Sequence, residues 1–163
     1  MRARVIAGRQ TAAVEGDIVV FHLGMRINKP WAVHIWLPMV RSMLRMLKEL
    51  SEDPASGLLG YRSVFSGLRN LQTVQYWSST EQLLRYGSDP SRTHRSAWGE
   101  YNRRRRGGGQ HVGVWHETYA VPPGGQESIY VDMPPYGLAA ATGVEPVRRR
   151  GNSAAERLRS GAA

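Results

Sequence analysis

Residues 17–26, DIVVFHLGMR, alternate strictly, and this run constrains the fold more than any other. Val19, Phe21, Leu23 and Met25 make one wholly apolar face, while Ile18, Val20, His22, Gly24 and Arg26 make the other. A period of two means a strand, and an apolar face means that one side is covered by a packed layer. If that layer is helical, His22 and Arg26 point into whatever the other side of the sheet encloses; otherwise the second face is half wet. A second β-rich run, His111 to Pro123 (HVGVWHETYAVPP), ends at a Pro-Pro-Gly-Gly stop. Alternation there sends Trp115, Glu117, Tyr119 and Val121 one way and Val114, His116 and Thr118 the other. Each face of a buried-looking strand thus carries an ionisable group, which is costly unless the group is satisfied or used. Two readings follow: a central strand whose His116 and Glu117 find ordinary hydrogen bonds, or the wall of a pocket.

The segments between these runs supply helices and a hairpin. Trp36, Val40, Met43, Leu47 and Leu50 recur at helical spacing. Pro38 is expected to divide that stretch into a short turn at 31–36 and a main helix from about 38 to 51. Residues 57–66 and 70–77 read as two close strands, a hairpin. A short helix, 80–86, is capped by Ser79 or Thr80 and closed by Gly87. Another helix opens after Pro90, with His94, Ala97, Trp98 and Tyr101 on one face and Arg103 to Arg106 at its end. Residues 126–133 read as a last strand. Residues 1–16 lack periodicity, and from Thr142 onward apolar residues become sparse. The division expected is therefore one domain over 1–143 and a basic, mobile tail over 144–163.

The order β, α, β, β, α, β with one extra strand fits an α+β, ferredoxin-like split βαβ: an antiparallel sheet with its helices on one face. Trp77, Trp115, His22 and Arg26 overload the surfaces that the chain's own helices can cover. A second sheet facing the first is expected, most simply from an identical subunit in a homodimer, a dimeric α/β barrel, with the 126–133 strand a candidate for crossing between subunits.

Composition narrows the chemistry. With no cysteine in 163 residues, disulfides and thiolate chemistry are excluded, and a reducing cytoplasm is compatible. No run of 18 apolar residues occurs, so no membrane helix is expected, and the location expected is cytoplasmic. The net charge of +9 is local, since seven arginines sit in the runs 103–106 and 148–150. No nucleic-acid motif accompanies them, so they read as solvated faces and no nucleic-acid partner is expected. Walker loops, GxSxG elbows and HExxH are absent, as are paired carboxylates for sugar chemistry.

Several strings stand at consistent spacing: GRQTA, VVFHLGMRINKPW, HIWLPM, ELSEDPASGLLGYR, VQYWSSTEQLLRY, VGVWHETY and YVDMPPYGL. From about Gly8 to Gly143 they make the chain resemble a bacterial and fungal family of ferredoxin-like proteins. That family is similar to the monooxygenase of the fungal fumagillin pathway and is grouped with antibiotic-biosynthesis monooxygenases. The resemblance implies a monooxygenase acting on a small hydrophobic or aromatic substrate, of the kind found in secondary metabolism. Related barrels let an electron-rich substrate, deprotonated in a dry pocket, reduce oxygen itself. Such chemistry needs a base, oxyanion donors and aromatic walls.

The residues offered are His116 and His22 as bases, with Arg26, Glu117 and Tyr119 as further catalytic candidates. Asn28, Trp36, Trp77, Trp98 and Trp115 are candidates for holding substrate. No metal site is expected. The cofactor is expected to be none or haem, because the barrel also resembles haem-degrading monooxygenases, whose Asn, Trp and His fall in the order of Asn28, Trp77 and His94. A haem-dependent oxygenase or an aldoxime-dehydratase-like lyase, with His116 or His94 as the iron ligand, is therefore one alternative. A non-enzymatic dimeric ligand-binding or stress protein is the other.

Overall fold

The computed structural model describes residues 4–92, 99, 101–103 and 110–160. Its main sheet has four antiparallel strands in the order β3-β4-β2-β5: β2 is Ile18–Ile27, β3 Leu58–Ser66, β4 Asn70–Trp77 and β5 Val112–Val121. The helix α1, Val33–Glu52, joins β2 to β3, and α2, Thr80–Ser88, follows β4. Most of the helix expected after Pro90, including His94, Trp98 and three of its four terminal arginines, lies outside the described residues.

Alternation in β2 does what its sequence implies. Val19 packs with Trp77, Leu50 of α1 and Leu83 of α2. Met25 and Ile27 pack with Val112 and with Trp36, Met39 and Val40 of α1. The helices therefore cover one face, and apolar burial at about 25 cal/mol per Å² holds them there. Ser79 caps α2 as expected, its hydroxyl accepting from the Gln82 amide at 3.2 Å.

Five expectations are corrected. Pro38 does not divide the first helix, since α1 runs unbroken from Val33 with Pro38 inside it. Only the bond to the His34 carbonyl is forfeited so near the helix start, and the Trp36 indole steadies that turn by donating to the Pro30 carbonyl at 2.9 Å. The polar N-terminus contains β1, Ile6–Ala12. It forms a second sheet, β6-β1-β7, with β6 at Tyr130–Met133 and β7 at Val144–Pro146. β6, the candidate for crossing between subunits, pairs with β1 of its own chain.

The last two corrections concern the tail and β5. Residues 144–160 are packed rather than loose. A short helix, α3, spans Leu138–Thr142 before β7; after β7 come a 3-10 turn at Val147–Arg149 and a helix, α4, at Ala154–Ser160. Charged groups replace the missing apolar ones: Arg150 pairs with Glu145, and Arg157, 6 % exposed, pairs with Glu127 and donates to the carbonyls of Gly151 and Asn152. β5, finally, is an edge strand, and its residues 116–120 are exposed.

The second sheet and α3 cover one end of the main sheet's other face, where Ile18, Val74 and Tyr76 bury against Ala12, Val14 and Ala139. Arg62 on β3 braces this junction. Its guanidinium donates to the Tyr136 hydroxyl at 3.3 Å and stands 5.2 Å from the centre of that ring. The remainder of this face, toward Arg26 and Gly113, has no layer over it among the described residues.

Candidate functional site

The register divides the candidate residues between the two faces of the sheet. On the face away from α1, His22 stands opposite Glu117, Gly24 opposite Trp115, and Arg26 opposite Gly113. His22 Nε2 is 3.1 Å from Gln72 Oε1, and its ring meets Trp115 edge-on at 4.6 Å. The Trp115 indole lies against the backbone of Gly24, where an added Cβ would come within 2.4 Å of it, so that position requires a residue without a side chain. Arg26 reaches Asn70 Oδ1 at 3.4 Å. The Tyr119 hydroxyl donates to Glu117 at 2.7 Å, and this bond holds the proton and raises the phenol above its ordinary range. Tyr119 and Glu117 therefore satisfy each other, and the phenol proton is not free for an oxyanion.

His116 is on the opposite face, level with Leu23, its ring 5.5 Å from that of Phe21. Trp77 shares that face but is 0 % exposed and belongs to the core under α2. Trp36 also joins the helix-side core, and Asn28 lies past the end of β2, its backbone N–H on the His111 carbonyl at 2.9 Å. The structure thus brings His22, Arg26, Glu117, Tyr119 and Trp115 together on one face. It sets His116, Trp36 and Trp77 on the other.

On the helix side the buried apolar residues fall, among the described residues, into two groups. The cluster around Val19 and Trp77 and the cluster around Met25 and Val112 are separate, although α1 contributes to both. Between them lie Leu23, Phe21, Thr73 and Gln75, in register as the pairs Phe21 with Gln75 and Leu23 with Thr73. Phe21 and Leu23 are only half-buried, whereas Thr73 is 0 % and Gln75 4 % exposed. His116 stands beside this polar pair's neighbours, opposite Leu23 and in ring contact with Phe21. Sequence reasoning missed Thr73 and Gln75; the signal was their place at alternate positions with Leu71 and Trp77 on one strand face, where polar residues interrupt an apolar row. Among the described residues no group of three or more His, Cys, Asp or Glu could hold a metal ion. No helix among them is long and apolar enough to cross a membrane.

The antiparallel sheet in the order β3-β4-β2-β5, with α1 and α2 on one face, defines an α+β protein of ferredoxin-like fold. More narrowly, the chain belongs to the Monooxygenase af470-like family, whose profile matches residues 18–138. It is 32% identical over 158 residues to Monooxygenase af470 of Aspergillus fumigatus, an alignment covering 82% of this chain and 54% of that protein. The chain therefore spans about half the length of this curated relative. Among solved structures, the aldoxime dehydratase OxdRE in complex with butyraldoxime superposes with a TM-score of 0.67 at 18% identity, over 88% of this chain and 43% of that one. Another aldoxime dehydratase structure gives 0.52 at 13% identity, over 86% and 44%. These two likenesses show the fold.

Proposed function

We propose that the chain is a monooxygenase-like enzyme for a small hydrophobic or aromatic substrate, held on the helix-facing side of the sheet beside His116. The observation that carries this reading is His116 on the helix-facing side, its ring 5.5 Å from half-buried Phe21, on a face where the polar pair Thr73 and Gln75 interrupts an otherwise apolar row. Family membership supports the reaction class. The imidazole of His116 is the group that would take a proton from a phenol or enol. The resulting anion is electron-rich enough to reduce oxygen, one atom entering the ring as a carbonyl and the other leaving as water.

With 1-naphthol as the probe, the balance is naphthol plus O₂ to 1,4-naphthoquinone plus water. The expected result is oxygen uptake matched one-to-one by quinone, above the probe's own autoxidation, from a colourless protein. Uptake no faster than autoxidation, from a protein without a Soret band, would leave a binding protein in place of an enzyme. A Soret band would instead favour the haem-dependent alternative.

The uncovered part of the other face is proposed as the contact between two copies of the chain. His22, Trp115, Arg26 and Glu117 stand there with both signs of charge around an aromatic centre, which suits a self-complementary two-fold contact. Sedimentation at micromolar concentration is expected to return twice the chain mass of 18.2 kDa. A species of 18.2 kDa would count decisively against the dimer.

A further inference from the structure

The end of the main sheet remote from the second sheet is built by two adjoining connections. In the turn from β3 to β4, Gly67 takes a φ of +65°, a left-handed conformation that side chains disfavour. Leu68 at the tip of that turn is 101 % exposed, and Phe65 just before it 73 %. Beside the turn runs the loop from β2 to α1, joined to it by the Ile27 N–H on the Arg69 carbonyl at 2.8 Å. This loop is tightly made: the Ala32 N–H donates to the Lys29 carbonyl at 3.1 Å, and the Trp36 indole to the Pro30 carbonyl at 2.9 Å. Trp31, held between these bonds, is nonetheless 77 % exposed. Single exposed apolar side chains are ordinary, but three of this size held out together at one end of a sheet mark a surface of contact.

The charge carried by these connections has one sign. Lys29 and Arg69 stand in them, and the stretches that contain them, residues 18–48 and 58–80, hold no Asp or Glu. A two-fold contact between copies at this end would set cation against cation, with no carboxylate from either stretch to offset them. Leu68, exposed on every side, cannot form the wall of a groove, which argues against a bound peptide and for a deformable surface that takes projecting groups. We infer that this end of the sheet docks on an anionic lipid bilayer. Trp31, Phe65 and Leu68 enter the boundary between headgroups and acyl chains, and Lys29 and Arg69 meet the lipid phosphates. Tryptophan suits that boundary because its ring is apolar and its N–H polar. The chain then lies on a membrane without crossing it, and no helix among the described residues is long and apolar enough to cross one. The inference is independent of the reaction assigned to the helix-facing side of the sheet.

The test is co-sedimentation of the full chain with vesicles of phosphatidylcholine alone and of equal parts phosphatidylcholine and phosphatidylserine. Wild-type protein is expected to bind the mixed vesicles, and to bind them less tightly as salt is raised. Leu68→Asp is expected to weaken that binding about tenfold or more, since it removes an inserted side chain and adds a charge of the lipid's own sign. Arg69→Gln is expected to weaken it about fivefold, the worth of one cation beside an anionic surface. Leu84→Asp is the control, making the same change of charge and hydropathy at a 65 % exposed leucine of α2, which begins at the opposite end of the sheet. It is expected to stay within about twofold of wild type, because salt screens so distant a charge. Should Leu68→Asp fail to fold, Arg69→Gln and the comparison of the two vesicles decide. Equal weakening by Leu68→Asp and Leu84→Asp would mean that overall basicity drives the binding, and overturns the inference. Wild-type protein that ignores the mixed vesicles, or that binds both kinds equally, overturns it as well. Loss of self-association on Leu68→Asp, without vesicle binding by wild type, would assign the patch to a second copy instead.

Discussion

His116→Ala is expected to lower quinone formation from 1-naphthol by roughly 10²–10⁴, the usual share of a positioned acid or base. The exposed position of His116 on the edge strand makes this a clean measurement. A satisfied histidine inside a core would take stability with it, but a substitution at an exposed site typically shifts stability by no more than about 0.5 kcal/mol. Turnover and the urea midpoint should therefore be read on the same sample. An unchanged rate per folded molecule would remove His116 from the mechanism and transfer the role of base to His22, which is held by Gln72 across the sheet. Loss of stability without loss of rate would mean that the ring contact with Phe21 is its whole purpose.

Trp77→Ala should be the most destabilising single change among the candidate site residues. Its indole is 0 % exposed and packs against Val19, Leu50 and Leu83. Truncation leaves a cavity the size of a ring system, and such changes cost about 3–5 kcal/mol. It also strips Gln75 of the donor that orients it. Chemical denaturation would show the loss as a lower midpoint with the slope against denaturant retained. A cost below about 1 kcal/mol would mean that the neighbouring side chains close over the space, and that the tryptophan wall expected from the sequence is closer to the truth than a core residue.

Trp77 also shows where the sequence stops being informative. Alternation placed β2 to within a residue and β4 at its observed bounds, because the side-chain period of a strand is a local property. It could not say how deep each strand lies. The 111–123 run is as β-branched and aromatic as a central strand, yet among the described residues β5 has a neighbour on one side only, and Glu117 and Tyr119 answer each other instead of a core. Strand order depends on pairings between distant residues, which no local pattern records. The same limit hid β1, a polar run whose partners lie more than 110 residues away. It made residues 144–160 read as loose, because what anchors them is Arg150 with Glu145 and Arg157 with Glu127 rather than apolar side chains. His22 and His116 were legible as unusual residues inside strands. That they lie on opposite faces in neighbouring strands required the register, in which Leu23 rather than His22 stands opposite His116.

The second sheet is sewn from strands far apart in the sequence. β1 pairs with Val131 and Tyr130 on one side and with Val144 to Pro146 on the other. During synthesis the hairpin of β3 and β4 can form as soon as its residues emerge, but β1 must wait, both edges open, until residues 130–146 have been made. Closing so long a loop is entropically costly and slow, and a waiting strand with unpaired edges is an invitation to wrong partners. The polar residues Arg9, Gln10 and Thr11 that concealed β1 in the sequence are what such a strand needs while it waits.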